Sequence, residues 1–266
     1  MAQPAQHGKF DTADAVANLE RVYKTPDICK QRAKMMEVLA LRAGESLLDV
    51  GCGPGFFLED AAKAVGPSGR LAGVDPSDAM VEAAKSRLGG NSDVQVAGAD
   101  NLPFEDGTFD AIVFCQVLCY IPDVVGALVE ARRVLKPTGR ILILETDFGE
   151  FTLFSSDPDR VQRVISRLKG MMAHTTLPRQ VPMMMQKAGL RIQAADAIAL
   201  MSVGTTSTES WIGNMILGSF PKMAADKPDP DHPTDSEDFL EEQKKLSEAG
   251  HFFGSGNRFL FLGVPA

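Results

Sequence analysis

Three closely spaced glycines follow an apolar run in the stretch Leu47–Phe57, which reads LLDVGCGPGFF. Gly51, Gly53 and Gly55 come directly after the predicted end of a strand, where glycines let the backbone turn sharply and approach a ligand closely. The N–H groups of the turn and of the helix that follows would then face the ligand. The pattern therefore indicates a site for a nucleotide-like cofactor.

The spacing of this turn distinguishes between classes of nucleotide. The dinucleotide fingerprint G-x-G-x-x-G places its third glycine where this chain has Phe56, and a P-loop requires a Gly-Lys-Ser/Thr sequence that does not follow. No basic residue comes next to neutralise a phosphate, since the next charges are Glu59 and Asp60. These features favour a cofactor without phosphate.

Further polar residues stand at the predicted ends of the next two strands. Asp75 ends the second strand, where a carboxylate is able to accept hydrogen bonds from both hydroxyl groups of a ribose. Asp100 stands near the end of the third strand with Asn101 beside it, and either side chain suits the amino group of adenine. Because parallel strands end at one edge of a sheet, we expect these residues to surround one site.

The elements that must position these residues alternate along the middle of the chain. Uninterrupted apolar runs are typical of strands buried on both faces, and Gly- or Pro-containing breaks separate them from helical patterns. The sequence therefore predicts an α/β fold with a parallel sheet covered on both sides. The predicted strands are Ser46–Val50, Arg70–Val74, Val94–Val96, Phe109–Cys115 and Arg140–Glu145, and the predicted helices are Gly55–Val65, Ser77–Leu88 and Asp123–Leu135.

Both flanks of this core carry helical patterns. Thr12–Leu41 is helical but is interrupted at Thr25-Pro26-Asp27, where Thr25 is expected to cap the second helix. Beyond Asp147 the alternation of strand and helix changes. There the sequence predicts helices over Asp157–Ala173, Pro178–Ala188, Thr206–Phe220 and Ser236–Glu248, and strands over Leu190–Leu200 and Arg258–Val264.

Four ordered motifs in the core resemble a known family. LLDVGCGPG, GVDPSDAM, GADNLPFEDGTFDAIVFCQVLCYIPD and EARRVLKPTGRILILE look like the successive motifs of class I S-adenosylmethionine-dependent methyltransferases, in particular the UbiE/Coq5-like group of small-molecule enzymes. The resemblance is strong over Ala43–Asp147 and weak in the flanks. It implies a Rossmann-like, doubly wound, mostly parallel seven-stranded sheet with an antiparallel last strand and a helical lid, and the cofactor S-adenosyl-L-methionine with S-adenosyl-L-homocysteine as its product.

The resemblance also implies which residues bind the cofactor. Asp49 would hold the turn and the amino group of the cofactor, and Asp75 would bind the ribose. Tyr23 is expected either to cover the cofactor or simply to pack beside it. The full set of expected cofactor-binding residues is Tyr23, Asp49, Gly51, Cys52, Gly53, Asp75, Pro76, Met80, Asp100, Asn101 and Gln116.

The expected organisation is a single methyltransferase domain over residues 1–266. Its cofactor-binding core is 43–147, its last strands are 190–200 and 258–264, and the acceptor pocket and lid come from 10–42, 148–188 and 204–250. These flanks are rich in Met and Phe, residues that adapt to irregular apolar ligands. We therefore expect methyl transfer by in-line displacement to a small, largely apolar molecule, with an oxygen, nitrogen or carbon acceptor left open.

A general base is required only for an acceptor that is protonated at the working pH. His174, in AHTTLPR after the fifth strand, is the leading candidate, and a structural role for its ring is the alternative; for His251, before the last strand, a structural role is favoured. The sequence shows no cluster of carboxylates and histidines for a metal, and no CxxC pair occurs among Cys29, Cys52, Cys115 and Cys119.

The overall composition limits the classes of partner that the chain is expected to bind. The 266 residues carry a formal net charge of −8 without a basic cluster, so a nucleic acid is not expected. No apolar run reaches the ~20 residues that span a bilayer, and the first ten residues lack a signal-peptide pattern. We therefore expect a cytoplasmic monomer or homodimer that takes a small-molecule acceptor.

Two other functions stay open from the sequence. A non-catalytic module that binds S-adenosylmethionine and regulates a partner is compatible with the lack of an obvious base. A nicotinamide-dependent oxidoreductase is disfavoured because Phe56 occupies the position of the third fingerprint glycine.

Overall fold

The computed structural model describes residues 10–89, 92–167, 172–204, 210–219 and 230–266. Helices and strands alternate through the core as the sequence predicts. The strands are β1 Ser46–Val50, β2 Arg70–Asp75, β3 Asp93–Val96, β4 Phe109–Cys115, β5 Leu135–Thr146, β6 Thr152–Leu153, β7 Leu190–Gly204 and β8 Phe252–Pro265. The helices are α1 Ala13–Tyr23, α2 Pro26–Leu39, α3 Phe56–Val65, α4 Asp78–Leu88, α5 Val124–Val134, α6 Pro158–Arg167, α7 Val181–Lys187, α8 Trp211–Asn214 and α9 Asp235–Glu248.

The strands form one sheet in the order β3-β2-β1-β4-β5-β8-β6, with β7 also paired to β8. The pairs from β3 to β5 are parallel, whereas β8 runs antiparallel to β5, β6 and β7. This confirms the expected mostly parallel α/β class with an antiparallel last strand. The sheet has eight strands rather than seven, because β8 extends past β5 and its free end pairs with the short β6 at Ser255 and Gly254.

Successive strand residues face opposite sides of the sheet, and both sides are apolar. On one side Leu48 and Ile112 pack with Leu128 of α5, and on the other Leu47 and Val113 pack with residues of α2 and α3. These strand residues are fully buried. The two covered faces explain the uninterrupted apolar runs in the sequence.

Several predicted boundaries are confirmed and others are corrected. Ser77 and Asp123 cap α4 and α5 through their side chains, as the positions before those helices suggest. Thr25 precedes α2, but its hydroxyl donates to the Val22 carbonyl at 2.7 Å instead of capping the helix. The expected turn at 136–139 belongs to β5, which begins at Leu135 and has a bulge opposite β4.

The C-terminal flank departs further from the prediction. The helix expected over Asp157–Ala173 is α6 up to Arg167, and 168–171 lie outside the described residues. The helix expected over Pro178–Ala188 is split into a 3₁₀ turn and α7. In the predicted helix Thr206–Phe220, α8 continues as a π turn over Met215–Ser219, while 205–209 and 220 lie outside the described residues. Among the helices that the structure describes, none has the length and hydropathy of a membrane span.

The contact between α3 and α4 generates a prediction about stability. Gly55 has φ +80°, and a Cβ there would lie 3.1 Å from the Ala84 Cα, so Gly55→Ala combines backbone strain with crowding of α4. We expect this change to cost roughly 2–4 kcal/mol of unfolding free energy, measured by urea denaturation.

The matched control for this prediction is Gly107→Ala. Gly107 has φ +61°, but nothing lies within 4 Å of the added Cβ, so only the strain of about 1–2 kcal/mol is expected. Equal losses in the two variants would show that α4 does not crowd Gly55.

Candidate functional site

The glycine turn lies at the carboxyl edge of the sheet, where β1 ends. The N–H groups of Gly51 and Cys52 donate to the Val74 carbonyl at 2.7 and 3.0 Å, which ties the turn to β2. The Gly53 N–H donates to Asp75 Oδ2 at 2.9 Å. The other oxygen, Oδ1, accepts the Ser77 N–H at 3.0 Å, so one buried carboxylate joins the glycine turn to the beginning of α4.

Asp49, the last polar residue of β1, is a second buried carboxylate beside the turn. Its side chain is 2% exposed, and its Oδ1 has no hydrogen-bond partner in the described part of the chain. Burial, with a smaller contribution from the charge of Asp75, raises the pKa of Asp49 to about 7. A positively charged ligand group, such as an ammonium, would supply the missing partner.

The two arginines close to the turn are already paired with carboxylates. Arg87 donates to the Pro54 carbonyl at 2.8 Å and lies over the Phe56 ring, but it pairs with Glu20 at 2.5 Å and approaches Glu59. Arg32 pairs in the same way with Asp60 at 2.7 Å. The two acidic residues that follow the turn in sequence are thus partners of arginines from α2 and α4, and the turn keeps its preference for a ligand without phosphate.

Tyr23, at the end of α1, lies across the glycine turn. A Cβ added at Gly53 would point into open space and meet the Tyr23 ring first, with Cε2 4.0 Å away. The ring also packs edge-on against Phe56 at 5.7 Å between centroids. Burial raises the pKa of Tyr23 above its usual range, so the hydroxyl group stays protonated. The ring and Gly53 therefore form two walls of one cleft.

A segment before α1 lies across the adjoining edge of this cleft. The Asp11 carboxylate accepts the Ala79 N–H and the Ser77 hydroxyl, each at 3.0 Å, at the beginning of α4. Phe10 packs edge-on against Tyr120 at 5.5 Å between ring centroids. This N-terminal clasp, Phe10–Thr12, gave no signal in the sequence, because no spacing rule links Asp11 to Ser77.

The structure places the remaining cofactor-binding candidates at different depths. Pro76 is exposed, whereas Met80 is 1% exposed. Asp100 and Asn101 were expected at the end of the third strand, but β3 already ends at Val96 and both residues are exposed in the following loop. The Ala97 N–H still donates to the Asp75 carbonyl at 3.2 Å, but the partner strand β2 ends at Asp75, so the ladder does not continue.

Gln116 follows β4 in a constrained conformation. Its φ is +59°, a left-handed value that costs a non-glycine residue of order 1–3 kcal/mol. The side chain is fixed because Nε2 donates to the Leu144 carbonyl at 3.2 Å and Oε1 accepts the Thr146 hydroxyl at 2.5 Å. The hydrogen bonds to the end of β5 therefore hold Gln116 in its strained backbone conformation.

Arg258 is a central residue that the sequence reasoning missed. It stands opposite Thr146 on β8 and is 4% exposed. Its Nε donates to Thr146 Oγ1 at 3.2 Å, its Nη1 donates to Gln31 Oε1, and its guanidinium carbon lies 4.1 Å over the Trp211 ring. The available signal was a single arginine in the apolar strand RFLFLGV.

His174 makes contacts that favour the structural alternative. Its backbone N–H donates to the Cys119 carbonyl at 3.0 Å. Its Nε2 lies 3.1 Å from the Ile121 carbonyl and 3.3 Å from that of Pro122. Carbonyl oxygens only accept, so Nε2 carries the hydrogen and secures the loop after β4. A catalytic role for His174 stays a prediction.

Glu145, near the end of β5, organises the same loop. Its side chain is fully buried, and Oε1 accepts the N–H groups of Val117 and Leu118 at 2.9 and 2.7 Å. Burial raises the pKa of Glu145 to about 7 although these hydrogen bonds act in the opposite direction. No group of three His, Cys, Asp or Glu side chains in the described ranges is placed to hold a metal ion.

Comparisons with known proteins bear on this site. Residues 48–143 match a family model described as a methyltransferase domain. A demethylmenaquinone methyltransferase of Staphylococcus aureus is 39% identical over 125 residues, 46% of this chain and 52% of the relative. An uncharacterized 37.1 kDa protein in a Streptomyces fradiae transposon is 41% identical over 162 residues, 59% of this chain and 47% of the relative. The chain thus spans about half the length of these curated relatives.

A solved structure shows the same fold over the whole chain. The geranyl diphosphate C-methyltransferase of Streptomyces coelicolor, solved in complex with Mg²⁺, geranyl diphosphate and S-adenosyl-L-homocysteine, is 18% identical. It aligns with a TM-score of 0.56 and covers 100% of this chain and 86% of its own. These matches agree with the methyltransferase family and the cofactor expected from the four motifs, over residues 48–143 of the chain.

The buried Glu145 predicts how stability depends on pH. Because its folded pKa of about 7 lies above the ordinary 4.5, the unfolded chain loses this proton first as pH rises, and the native state is destabilised between those values. The loss is on the order of 3 kcal/mol. Glu145→Gln keeps an acceptor at Oε1, so it should flatten the fall in urea midpoint between pH 5 and 7.5.

The control for this prediction is Glu130→Gln. Arg133 lowers the pKa of Glu130, so this group titrates below pH 4.5 and its removal should leave the slope above pH 5 unchanged. A slope that Glu145→Gln does not alter would contradict the assignment.

Proposed function

We propose that this chain, a member of the class I S-adenosylmethionine-dependent methyltransferases, transfers the methyl group of that cofactor to a small, largely apolar molecule. The observation that carries the proposal is the pair of buried carboxylates, Asp49 and Asp75, beside the glycine turn. Asp75 holds the turn, and Asp49 Oδ1 lacks a partner among the described residues. Such a cradle suits a cofactor with an ammonium and a ribose and without phosphate.

The residues present fit the cofactor, which supplies a methyl group already activated on a sulfonium. Asp49 would receive the ammonium and Asp75 the ribose hydroxyls, and Tyr23 would cover the methionine end. The remaining proposed contacts are Gly51, Cys52, Gly53, Pro76, Met80, Asp100, Asn101 and Gln116. The open space at Gly53, bounded by the Tyr23 ring, supports this placement.

The contribution of the chain to an in-line displacement is mainly positional. Gln116 is fixed between β4 and β5, and Tyr23 packs beside the glycine turn from α1. Alignment of reacting groups in such a cleft supplies ~7–11 kcal/mol of barrier reduction. His174 is retained as a proposed base only for an acceptor that must lose a proton.

The flanks support a small and apolar acceptor. Phe148 stacks on Phe151 at 5.7 Å, and Phe151 packs on Trp211 at 5.9 Å, which forms an aromatic wall that continues to Arg258. A relative named for methylating demethylmenaquinone agrees with this class of acceptor. We also propose that the whole chain is one domain, working in the cytoplasm as a monomer or homodimer.

Calorimetry and turnover together test the function. Purified protein titrated with S-adenosyl-L-homocysteine should bind one equivalent, whereas NADH should produce no binding heat. Radiolabelled methyl groups from S-adenosyl-L-methionine should then appear in small apolar products when cell extract is supplied as the acceptor source. Absence of cofactor binding would contradict the proposal. Cofactor binding without any methyl transfer would favour the regulatory module.

Asp49 predicts that cofactor affinity depends on pH. The free carboxyl has a pKa of about 7, and an ammonium ligand favours its ionised form, so binding below pH 7 must expel a proton. Affinity for S-adenosyl-L-homocysteine should therefore rise by up to about tenfold per pH unit between pH 6 and 7. Calorimetry with Asp49→Asn should give a weaker and nearly pH-independent affinity.

The control for this prediction is Asp93→Asn, at the opposite edge of the sheet. Asp93 pairs with Arg70 and its pKa is lowered, so this variant should keep the wild-type pH dependence. If Asp49→Asn retains the dependence, another group releases the proton.

A further inference from the structure

We propose that the guanidinium of Arg258 binds an anionic oxygen of the methyl acceptor, so that the substrate class is an apolar acid. Such a compound has an unsaturated or aromatic skeleton that carries a carboxylate or an ionised hydroxyl group. This inference rests on the proposed function and deepens it by assigning the polar end of the acceptor. It depends on the charge balance, the geometry and the surroundings of Arg258.

The charge of Arg258 is buried without a carboxylate of the described residues in direct contact, although Asp27 and Glu145 act on it from farther away. No Asp or Glu oxygen in the described residues lies within 4.0 Å of it, and its side-chain partners, Gln31, Thr146 and Trp211, are all neutral. Burial lowers its pKa, but an arginine keeps its proton in proteins. Buried charges are normally paired, so an anion in direct contact with the guanidinium would complete the site.

The guanidinium is held in one orientation, and some of its N–H donors have no partner among the described residues. Thr146 and Gln31 occupy Nε and Nη1, and the Trp211 ring covers one face. Nη2 has no hydrogen-bond partner within the described ranges. It is not fully buried, so a ligand could reach it. A planar carboxylate or a single anionic oxygen matches the donors that remain on this fixed fork.

The position of Arg258 suits an acceptor anchor. Thr146, its register partner, donates to Gln116 at the end of β4, so the guanidinium belongs to the carboxyl edge that carries the cofactor cleft. Tyr23, which covers the glycine turn, lies close enough for its hydroxyl to interact electrostatically with Arg258. An acid bound there would lie between the aromatic wall and Tyr23.

The surroundings select the kind of anion. Trp211 and Phe151 extend from the guanidinium as an apolar wall that suits a planar skeleton. Within the described part of the chain, Arg258 is the one cation in its hydrogen-bond network with Gln31 and Thr146, so the network balances a single negative charge. This favours a carboxylate or an ionised hydroxyl group over a diphosphate.

The experiment uses Trp211, the single tryptophan of the chain, as a reporter beside the site. Quenching of its fluorescence is titrated with trans-cinnamate and with the isosteric neutral cinnamamide, in the presence of S-adenosyl-L-homocysteine. In the wild type, cinnamate should bind at least tenfold more tightly than cinnamamide. Arg258→Met should reduce this ratio to about one, and Arg258→Lys should keep part of it.

A second arm separates the two sources of the anionic oxygen. Binding of 4-cyanophenol is measured at a pH below its own pKa and at a pH above it. If only the ionised phenol binds more tightly than its neutral form, the bound anion is a hydroxyl-derived one. If only cinnamate binds more tightly than its neutral amide, the bound anion is a carboxylate. Arg70→Met, at the amino edge of the sheet, is the matched control and should retain the wild-type ratios.

Distinct outcomes separate this inference from the function on which it rests. Equal wild-type affinity for the charged and neutral members of both probe sets overturns the anion site, as does a cinnamate preference that survives in Arg258→Met. Calorimetry with S-adenosyl-L-homocysteine establishes that each variant is folded. Should Arg258→Met not fold, the wild-type ratios and Arg258→Lys decide the question. Failure of wild-type cofactor binding would instead remove the methyltransferase proposal, whatever the probes show.

Discussion

The carboxylate of Asp75 is the interaction on which the cleft depends. Each of its oxygens accepts a backbone N–H, one from Gly53 and one from Ser77. A single side chain thereby fixes the spacing between the glycine turn and α4. Asp11 binds the beginning of α4, and Tyr23 lies beside Gly53 in the glycine turn. Both residues therefore contact segments whose spacing Asp75 fixes.

The same edge of the sheet concentrates ionisable groups that a folded protein ordinarily avoids burying. Asp49 on β1 and Glu145 on β5 have raised pKa values, and Arg258 lies on β8 without a carboxylate within 4.0 Å among the described residues. Each of these groups lowers the stability of the ligand-free fold. Their concentration at one edge indicates that binding, rather than stability, determines which residues stand there.

Local patterns in the sequence predict the core well, because glycine spacing and apolar runs reflect constraints between residues that are near in the chain. The glycine turn, Asp75 and the parallel class of sheet follow from such patterns. The position of Asp100 does not, because β3 ends where its partner strand β2 ends, at Asp75.

The acceptor side was much less predictable, since its contacts join distant segments. Arg258 reaches Gln31 across most of the chain, and Asp27 of α2 accepts the Trp211 N–H at 2.6 Å. Composition indicated apolar lining, but no local rule identifies a cation on the last strand as part of the cleft. The helical flanks were likewise misjudged where the chain changes to 3₁₀ or π turns.

The N-terminal clasp has a consequence for ligand traffic. Asp11 binds the beginning of α4, next to Asp75, and Phe10 packs on Tyr120. A ligand as bulky as a nucleoside that passes under this segment must separate those contacts twice in each cycle, once on entry and once on departure. On the proposed function, the opening rate of this short segment would then affect how fast the spent cofactor leaves, so its residence time would depend on the clasp as well as on the cleft.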